Sequence, residues 1–470
     1  MQEKFDAFRK QYPEFIYRDY HIDIVDGEYV ELTYDFEIPG LCEFHPSNRI
    51  RTSNLEIVNS PNSAFAHKIA FSLGMVELVS YWKTACPPTV KIECGYLTDA
   101  QCDWWKKLYF GGLGEFLYTN SIETSFEDFM SIRVESDSVE ASLSKKGVIY
   151  GGKAFDSAGL KIIPVGGGKD SNVTMELTKE FSDKVFCFTV NDQPAREESA
   201  AKAGYGDDRM IRTYRTLDKN MLELNKQGFL NGHTPFSAVV AFLSSYCAYL
   251  IGAEHIILSN ESSANESNIE GLSVNHQYSK SYEFETDFCS YFKEYVGVPV
   301  HYFSLLRAFN ELQIAKQFAS FKKYNTVFKS CNAGSKKNIW CCNCAKCLFV
   351  YIIISPFLTK AELCEIFGED LLEREDLKDI FDGLVGFSYV KPFECVGTHK
   401  EINAALKATA EKYADEGTAM PKLLAYYYDK VPHENGEFAE LLEEFNEAND
   451  IPAEFMPAVE KMYKFVSDKD

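Results

Sequence analysis

Gly166-Gly167-Gly168-Lys169-Asp170-Ser171 follows directly on the apolar run Lys161 to Val165 and precedes an amphipathic segment carrying Val173, Met175, Leu177 and Phe181. Glycines lack a Cβ, so backbone N–H groups there can close on an anion, and a helix starting after them adds unpaired donors and the positive end of its dipole. Lys169 is expected to add a mobile positive charge and Ser171 a hydroxyl placed to cap the helix. The alternative is a glycine-rich turn with a solvated Lys–Asp pair. The loop is not a Walker A motif, because no Gly-Lys-Ser/Thr closes it, and it does not follow the dinucleotide pattern G-x-G-x-x-G.

A second group of residues has metal-ligand spacing. Cys341, Cys344 and Cys347 form two C-x2-C steps that share Cys344, and Cys331 lies ten positions before Cys341. Four thiolates at Cys331, Cys341, Cys344 and Cys347 can close a tetrahedral shell that leaves no position for substrate, so a zinc ion there would be structural and would pin its loop to the active-site edge. An iron–sulfur cluster suits the same donor set, and chance clustering is the third reading. Cys342 is the spare thiol and reads as inert.

The chain of 470 residues, 46% apolar and 14% aromatic, is long enough for two or three domains with a sizeable core. Its net charge of −22 opposes non-specific attraction to nucleic acid or anionic membrane. The first residues show no apolar h-region, and the longest apolar run, Cys347 to Leu358, is too short to span a bilayer. A cytoplasmic protein is therefore expected, with its 14 cysteines present as thiols or metal ligands.

The elements that must position these groups fall into three regions. Residues 1–150 read as an N-terminal α+β domain, a possible substrate-recognition unit. Tyr20 to Ile24 and Tyr29 to Tyr34 alternate about Asp26-Gly27, a hairpin signal. Helical patterns follow over 64–82 and 96–118, the second ending near Gly111-Gly112-Leu113-Gly114-Glu115. Residues 151–355 alternate short strands (185–190, 210–214, 255–259, 298–302) with helices (195–204, 218–227, 235–252, 281–296, 304–320), which predicts a doubly wound parallel α/β sheet. Ligands bind such sheets at the carboxyl ends of the strands, so the glycine loop should share an edge with Asn231 to Pro235 (His233), Ser259 to Ser262 (Glu261) and Asn275 to Ser281 (His276, Lys280). For any one of these residues a solvated loop competes with a catalytic role. Residues 356–470 read as a helical C-terminal region, interrupted by Lys391 to Thr398 and ending in an acidic amphipathic tail.

Gly166 to Ser171 resembles the pyrophosphate loop, Ser-Gly-Gly-x-Asp-Ser, of the ATP-pyrophosphatase (PP-loop) superfamily, with Gly166 in place of the first serine. A four-cysteine site also accompanies this loop in 7-cyano-7-deazaguanine synthase. Gly74 to Lys83 with Cys86-Pro87, Gly112 to Phe116, Gly166 to Ser171, Val274 to Ser281, Ser330-Cys331-Asn332 and Lys391 to Thr398 together resemble the UDP-N-acetylmuramoyl-L-alanyl-L-glutamate epimerase family, over about residues 14–410. That resemblance implies a PP-loop type of sheet and an enzyme of peptidoglycan precursor synthesis that uses ATP and Mg²⁺. Its substrate would be a small molecule, a UDP-linked muramoyl dipeptide, whose terminal L-Glu it converts to D-Glu by carboxylate adenylation. Gly166, Gly167, Gly168, Lys169, Asp170, Ser171 and Lys280 would then bind nucleotide, with Asp170 near Mg²⁺ and Ser171 on a phosphate oxygen. His276, His233 and Glu261 are the proton-transfer candidates, with Cys342 as an outsider. An amidating or thiolating PP-loop enzyme and a non-catalytic nucleotide-binding module are the competing functions.

Overall fold

A computed structural model describes residues 1–470 except 60–62, 149–154, 156, 266–277, 435 and 469–470. Five strands form an all-parallel half of its sheet: β7 (Leu160–Pro164), β8 (Val185–Val190), β9 (Met210–Thr216), β10 (Ala253–Leu258) and β11 (His301–Ser304). They lie in the order β11-β10-β7-β8-β9 with parallel neighbours throughout. Chain direction across the sheet therefore reverses between β7 and β10, and the crevice beyond their carboxyl ends is the switch point where doubly wound sheets bind ligands.

Both faces of this part are covered, as its apolar runs require. Successive residues point to opposite faces, so Ile162, Phe188, Ile256 and Tyr302 join one core while Ile163, Cys187, Ile257 and Phe303 join another. The first core contains the buried helix Phe236–Ile251; the second is closed by C-terminal helices, including Ala345–Ile354 and His399–Asp415. Cys347 to Leu358 is thus an interior segment, and among the described residues no helix is long and apolar enough to cross a membrane.

The remaining strands are β1 (Glu14–Val25), β2 (Tyr29–Ile38), β3 (Cys42–Phe44), β4 (Ser47–Arg51), β5 (Thr89–Ile92) and β6 (Ser131–Val134). The hairpin expected at Asp26-Gly27 joins β1 to β2, with both turn residues at positive φ (55° and 66°). β4 pairs antiparallel with β2 on one side and with β9 on the other, in the register Ser47↔Thr216 to Ile50↔Thr213. All eleven strands form one sheet.

The seam between the two halves carries a buried ion pair. Glu77, fully buried in the helix Ser63–Trp82, accepts from Arg215 of β9 on both oxygens (2.7 and 2.6 Å) and from Asn48 of β4 (3.1 Å). Several expected boundaries move, and the strand expected over 298–302 is found at His301–Ser304. The 96–118 region is two helices, Asp99–Gly112 and Gly114–Thr119, because Gly112 packs its backbone against Pro235 and Leu113 turns the chain. Residues 305–310 turn before the helix Glu311–Ser320, which starts only at the Asn310/Gln313 capping box.

Candidate functional site

The glycine loop leaves β7 at the switch point. Gly167 has φ +81°, and a Cβ there would lie 3.0 Å from the Ala195 backbone carbon, so glycine is required both for conformation and for contact. Its carbonyl accepts from Lys329 N–H (2.8 Å), and Gly168 rests against Ser330. Gly168 is the N-cap of the helix Lys169–Leu177 and lends it no side chain, which leaves the first N–H groups as donors. A small polar pocket of about 80 Å³ opens here, lined by Gly166, Gln193, Arg196, Lys329, Ser330 and Asn332 among others.

Two expectations for the loop are corrected. Lys169 is not a mobile surface charge: it is 2% exposed and its ammonium pairs with both Asp170 and Glu311. A buried ammonium must be compensated, and two carboxylates hold it. Ser171 caps no N–H group either; its hydroxyl donates back to the Gly168 carbonyl (3.2 Å), because it already lies inside the first turn.

Around this pair the fold gathers acids that the sequence reading did not name. Glu311 opens the helix Glu311–Ser320, and its N–H donates to Glu401 Oε1 (2.7 Å). Glu401 also accepts from the Thr398 N–H and hydroxyl (2.5 and 2.8 Å), so one carboxylate caps two helices. Burial pushes Glu311 up to about 8 against the pull of Lys169, with Asp170 and Glu261 adding to the rise. Burial likewise raises Glu401. Asp170 goes the other way: burial opposes its charge, but Lys169, Lys346 and Lys280 together hold it below the usual carboxylate range. The result is an ionised Asp170 at the loop, with protonatable carboxyls behind it.

Arg307 organises the opposite wall. It is fully buried, donates to the carbonyls of Glu261 and Lys280 (2.6 Å each), and pairs with Glu285 (3.0 Å). These bonds fix Glu261, at the end of β10, beside the turn Tyr278–Lys280, as the shared-edge expectation required. Lys280 Nζ donates to Cys395 Sγ (3.0 Å), and Lys346 Nζ donates to the Cys395 carbonyl. His233 stands 3.7 Å from Glu115, where Gly112 packs on Pro235 and Gly232 on Phe116. His276 lies outside the described residues.

The sulfurs of Cys331, Cys341, Cys344 and Cys347 all lie within 4.8 Å of one another. Separations of 3.9 Å (Cys331–Cys344), 3.7 Å (Cys341–Cys347) and 3.5 Å (Cys344–Cys347) match the edge of about 3.8 Å expected for a tetrahedron of 2.3 Å metal–sulfur bonds. The four residues can therefore hold a single metal ion. A four-iron cluster would spread the sulfurs further, since each binds a different iron. Cys342 turns away, donating to the Phe367 carbonyl (3.3 Å), and burial pushes it up to about 11. The cysteine loop joins the site at two points: Lys329-Ser330 brace the glycines just before Cys331, and Lys346 projects from between Cys344 and Cys347.

Glu311, Glu401, Arg307 and Lys346 all escaped the sequence reading. Thr398-x-x-Glu401 is visible as a capping box, but a cap signature hides a second role for its glutamate. Lys346 could have been noticed as the cation between two ligands.

Two family models match this chain: the MurL N-terminal domain over residues 7–305 and the MurL C-terminal domain over residues 321–439. A protein of Xanthomonas oryzae pv. oryzae (strain MAFF 311018), named UDP-N-acetyl-alpha-D-muramoyl-L-alanyl-L-glutamate epimerase, is 33% identical over 353 residues, covering 72% of this chain and 74% of its own. Proteins of the same name from Salinispora tropica and a Micromonospora species are 31% and 30% identical over 432 residues each; both alignments cover 89% of this chain, and 89% and 91% of the respective relatives. This chain belongs to the MurL family, whose named members are epimerases, a class of isomerase.

Proposed function

We propose that this protein epimerises the terminal L-Glu of UDP-N-acetylmuramoyl-L-alanyl-L-glutamate to D-Glu, activating the glutamate carboxylate with ATP and releasing AMP and pyrophosphate. The observation that carries the reading is the glycine loop at the β7/β10 switch point, with Lys169, Lys280 and Lys346 all acting on Asp170. That placement supports a PP-loop role. The N–H groups of Gly166 to Gly168 and the start of the following helix take phosphate oxygens, and Lys169 exchanges a carboxylate partner for phosphate. Ser330, whose buried hydroxyl has no hydrogen-bond partner among the described residues, lines the pocket beside Gly166 and offers the hydroxyl that Gly166 lacks. Asp170, held ionised, is suited to Mg²⁺, which would neutralise charge on the phosphates.

The chemistry explains why a nucleotide is needed for an isomerisation. An ionised carboxylate resists loss of its α-proton, because a second negative charge would build on the same unit. Adenylation cancels the first charge, and each pKa unit removed from the carbon acid is worth about 1.4 kcal/mol. Glu261 and His233 are proton-transfer candidates that the sequence offers, together with His276, which lies outside the described residues. The four cysteines fit structural zinc, whose role would be to fix Lys329-Ser330 and Lys346 in place.

The test is incubation with ATP, Mg²⁺ and the dipeptide nucleotide, reading glutamate chirality and AMP. D-Glu product with stoichiometric AMP, and no ammonia or sulfur consumed, is expected. D-Glu formed without ATP would overturn the adenylation step, and AMP with only L-Glu remaining would overturn epimerisation.

A further inference from the structure

The segment Lys391 to Thr398 runs along the acid cluster described above. Gly397 lies so close that a Cβ there would sit 2.8 Å from Glu401 Oε2 and 3.2 Å from Glu311 Cγ. Two residues earlier, Cys395 is partly exposed, with the Lys280 ammonium on its sulfur at 3.0 Å and the Lys346 ammonium on its carbonyl. Glu394 accepts from the Lys346 N–H (3.1 Å), and Phe393 packs on Tyr118 of the N-terminal half (5.5 Å between rings). The segment is therefore tied on three sides, and Cys395 is held between Lys280 and Lys346 beside the acid cluster.

A thiol beside a fixed ammonium is a different group from a thiol in apolar surroundings. Cys86, Cys187 and Cys247 are buried, and burial pushes each of them up. For Lys280 the reciprocal effect shows: burial lowers its ammonium, but Cys395 and then Glu261 more than offset that and hold it above the usual lysine value. A thiolate so paired is a weakly hydrated base, suited to removing a proton from carbon.

Resting on the epimerase reading above, we propose that Cys395, paired with Lys280, is the catalytic base that takes the α-proton of the activated L-glutamyl group. The Cys395 thiolate takes the α-proton and becomes a thiol, while the C–H electron pair enters the enolate of the activated ester. A second acid returns a proton to the opposite face; Glu311 is the carboxyl of this site that carries one near neutral pH. Both groups then re-equilibrate with solvent, so no oxidant or further reactant is needed. Lys280 is a positioning residue that keeps the sulfur ionised.

The experiment compares the parent protein with Cys395→Ser and Cys395→Ala in D₂O, with ATP, Mg²⁺ and the L-Glu dipeptide nucleotide, measuring AMP and deuterium at the glutamate α-carbon. In both variants the ratio of deuterium incorporated to AMP formed should fall at least 100-fold. Lys280→Met should lower that ratio and slow alkylation of Cys395 by iodoacetamide at pH 7, followed by peptide mass. A parent-like ratio in either Cys395 variant overturns the assignment, as does a thioester between Cys395 and the dipeptide found by peptide mass after acid quench. Should the parent itself form no AMP while labelling the α-carbon, adenylation fails and the labelling rates of the variants alone decide on Cys395.

Discussion

The two halves of the sheet treat charge in opposite ways. In the mixed half built on β1 to β6, β2 alternates buried and half-exposed residues along its whole length, and the ion pair at the seam is matched: Glu77 receives both arms of Arg215 and an Asn48 amide. In the parallel half, β7 and β8 are buried on both faces, and the charges at their ends are unmatched. Lys169 is shared by Asp170 and Glu311, with Glu401 directly behind. A matched pair has nothing left to offer a ligand and serves registry, whereas an excess of carboxylates with mobile protons can accept a cation or exchange partners when phosphate arrives.

The largest expected effect is on the chemistry of the unmatched side. Lys169→Met keeps the side-chain volume but removes the charge; it should lower stability, because Asp170 and Glu311 lose their buried partner, and AMP formation per folded molecule, with folding checked by circular dichroism, should fall by at least about 100-fold. AMP formation at the parent rate would place the phosphate site elsewhere.

The matched side should respond in stability. Glu77→Ala strands Arg215 at the seam and should cost about 3 kcal/mol in denaturant unfolding, the lower end for breaking a buried pair since the Arg215 side chain keeps 13% exposure. A cost under about 1 kcal/mol would mean that the seam is held by its strand pairing alone.

The third contrast is in pH dependence and is the smallest. The Glu311 carboxyl goes from 4.5 to about 8 in the fold, so between those values the folded protein binds more protons than the unfolded chain, and stability falls as pH rises through that window. Glu311→Gln removes the titrating group, so its Tm should decline less from pH 5 to pH 8 than that of the parent. An equal decline would show that the proton resides on another member of the cluster.

Much of this contrast was legible beforehand. The alternation of short strands with helices over 151–355 predicted the parallel half, and the alternation about Asp26-Gly27 predicted the hairpin. The cysteine spacing predicted a four-sulfur cluster that the distances bear out. The β4–β9 pairing was not legible, since Ser47–Arg51 is a short polar stretch whose partner lies more than 150 residues away, and only tertiary register brings them together. The acid cluster was hidden for a related reason: Glu311 and Glu401 occupy first turns of helices, where a glutamate is ordinary, and only packing shows that Glu311 meets Lys169 and that Glu401 takes the Glu311 N–H.

The β4–β9 ladder also bears on motion. Domains joined by a linker can rock about a hinge and close over a ligand, but two halves that share backbone hydrogen bonds and one core move as a single body. Any opening for substrate would then have to come from local segments, and Lys391 to Thr398 is held in place by the Phe393–Tyr118 contact, the Glu394 bond to Lys346 N–H, the two lysine bonds at Cys395 and the Thr398–Glu401 bonds.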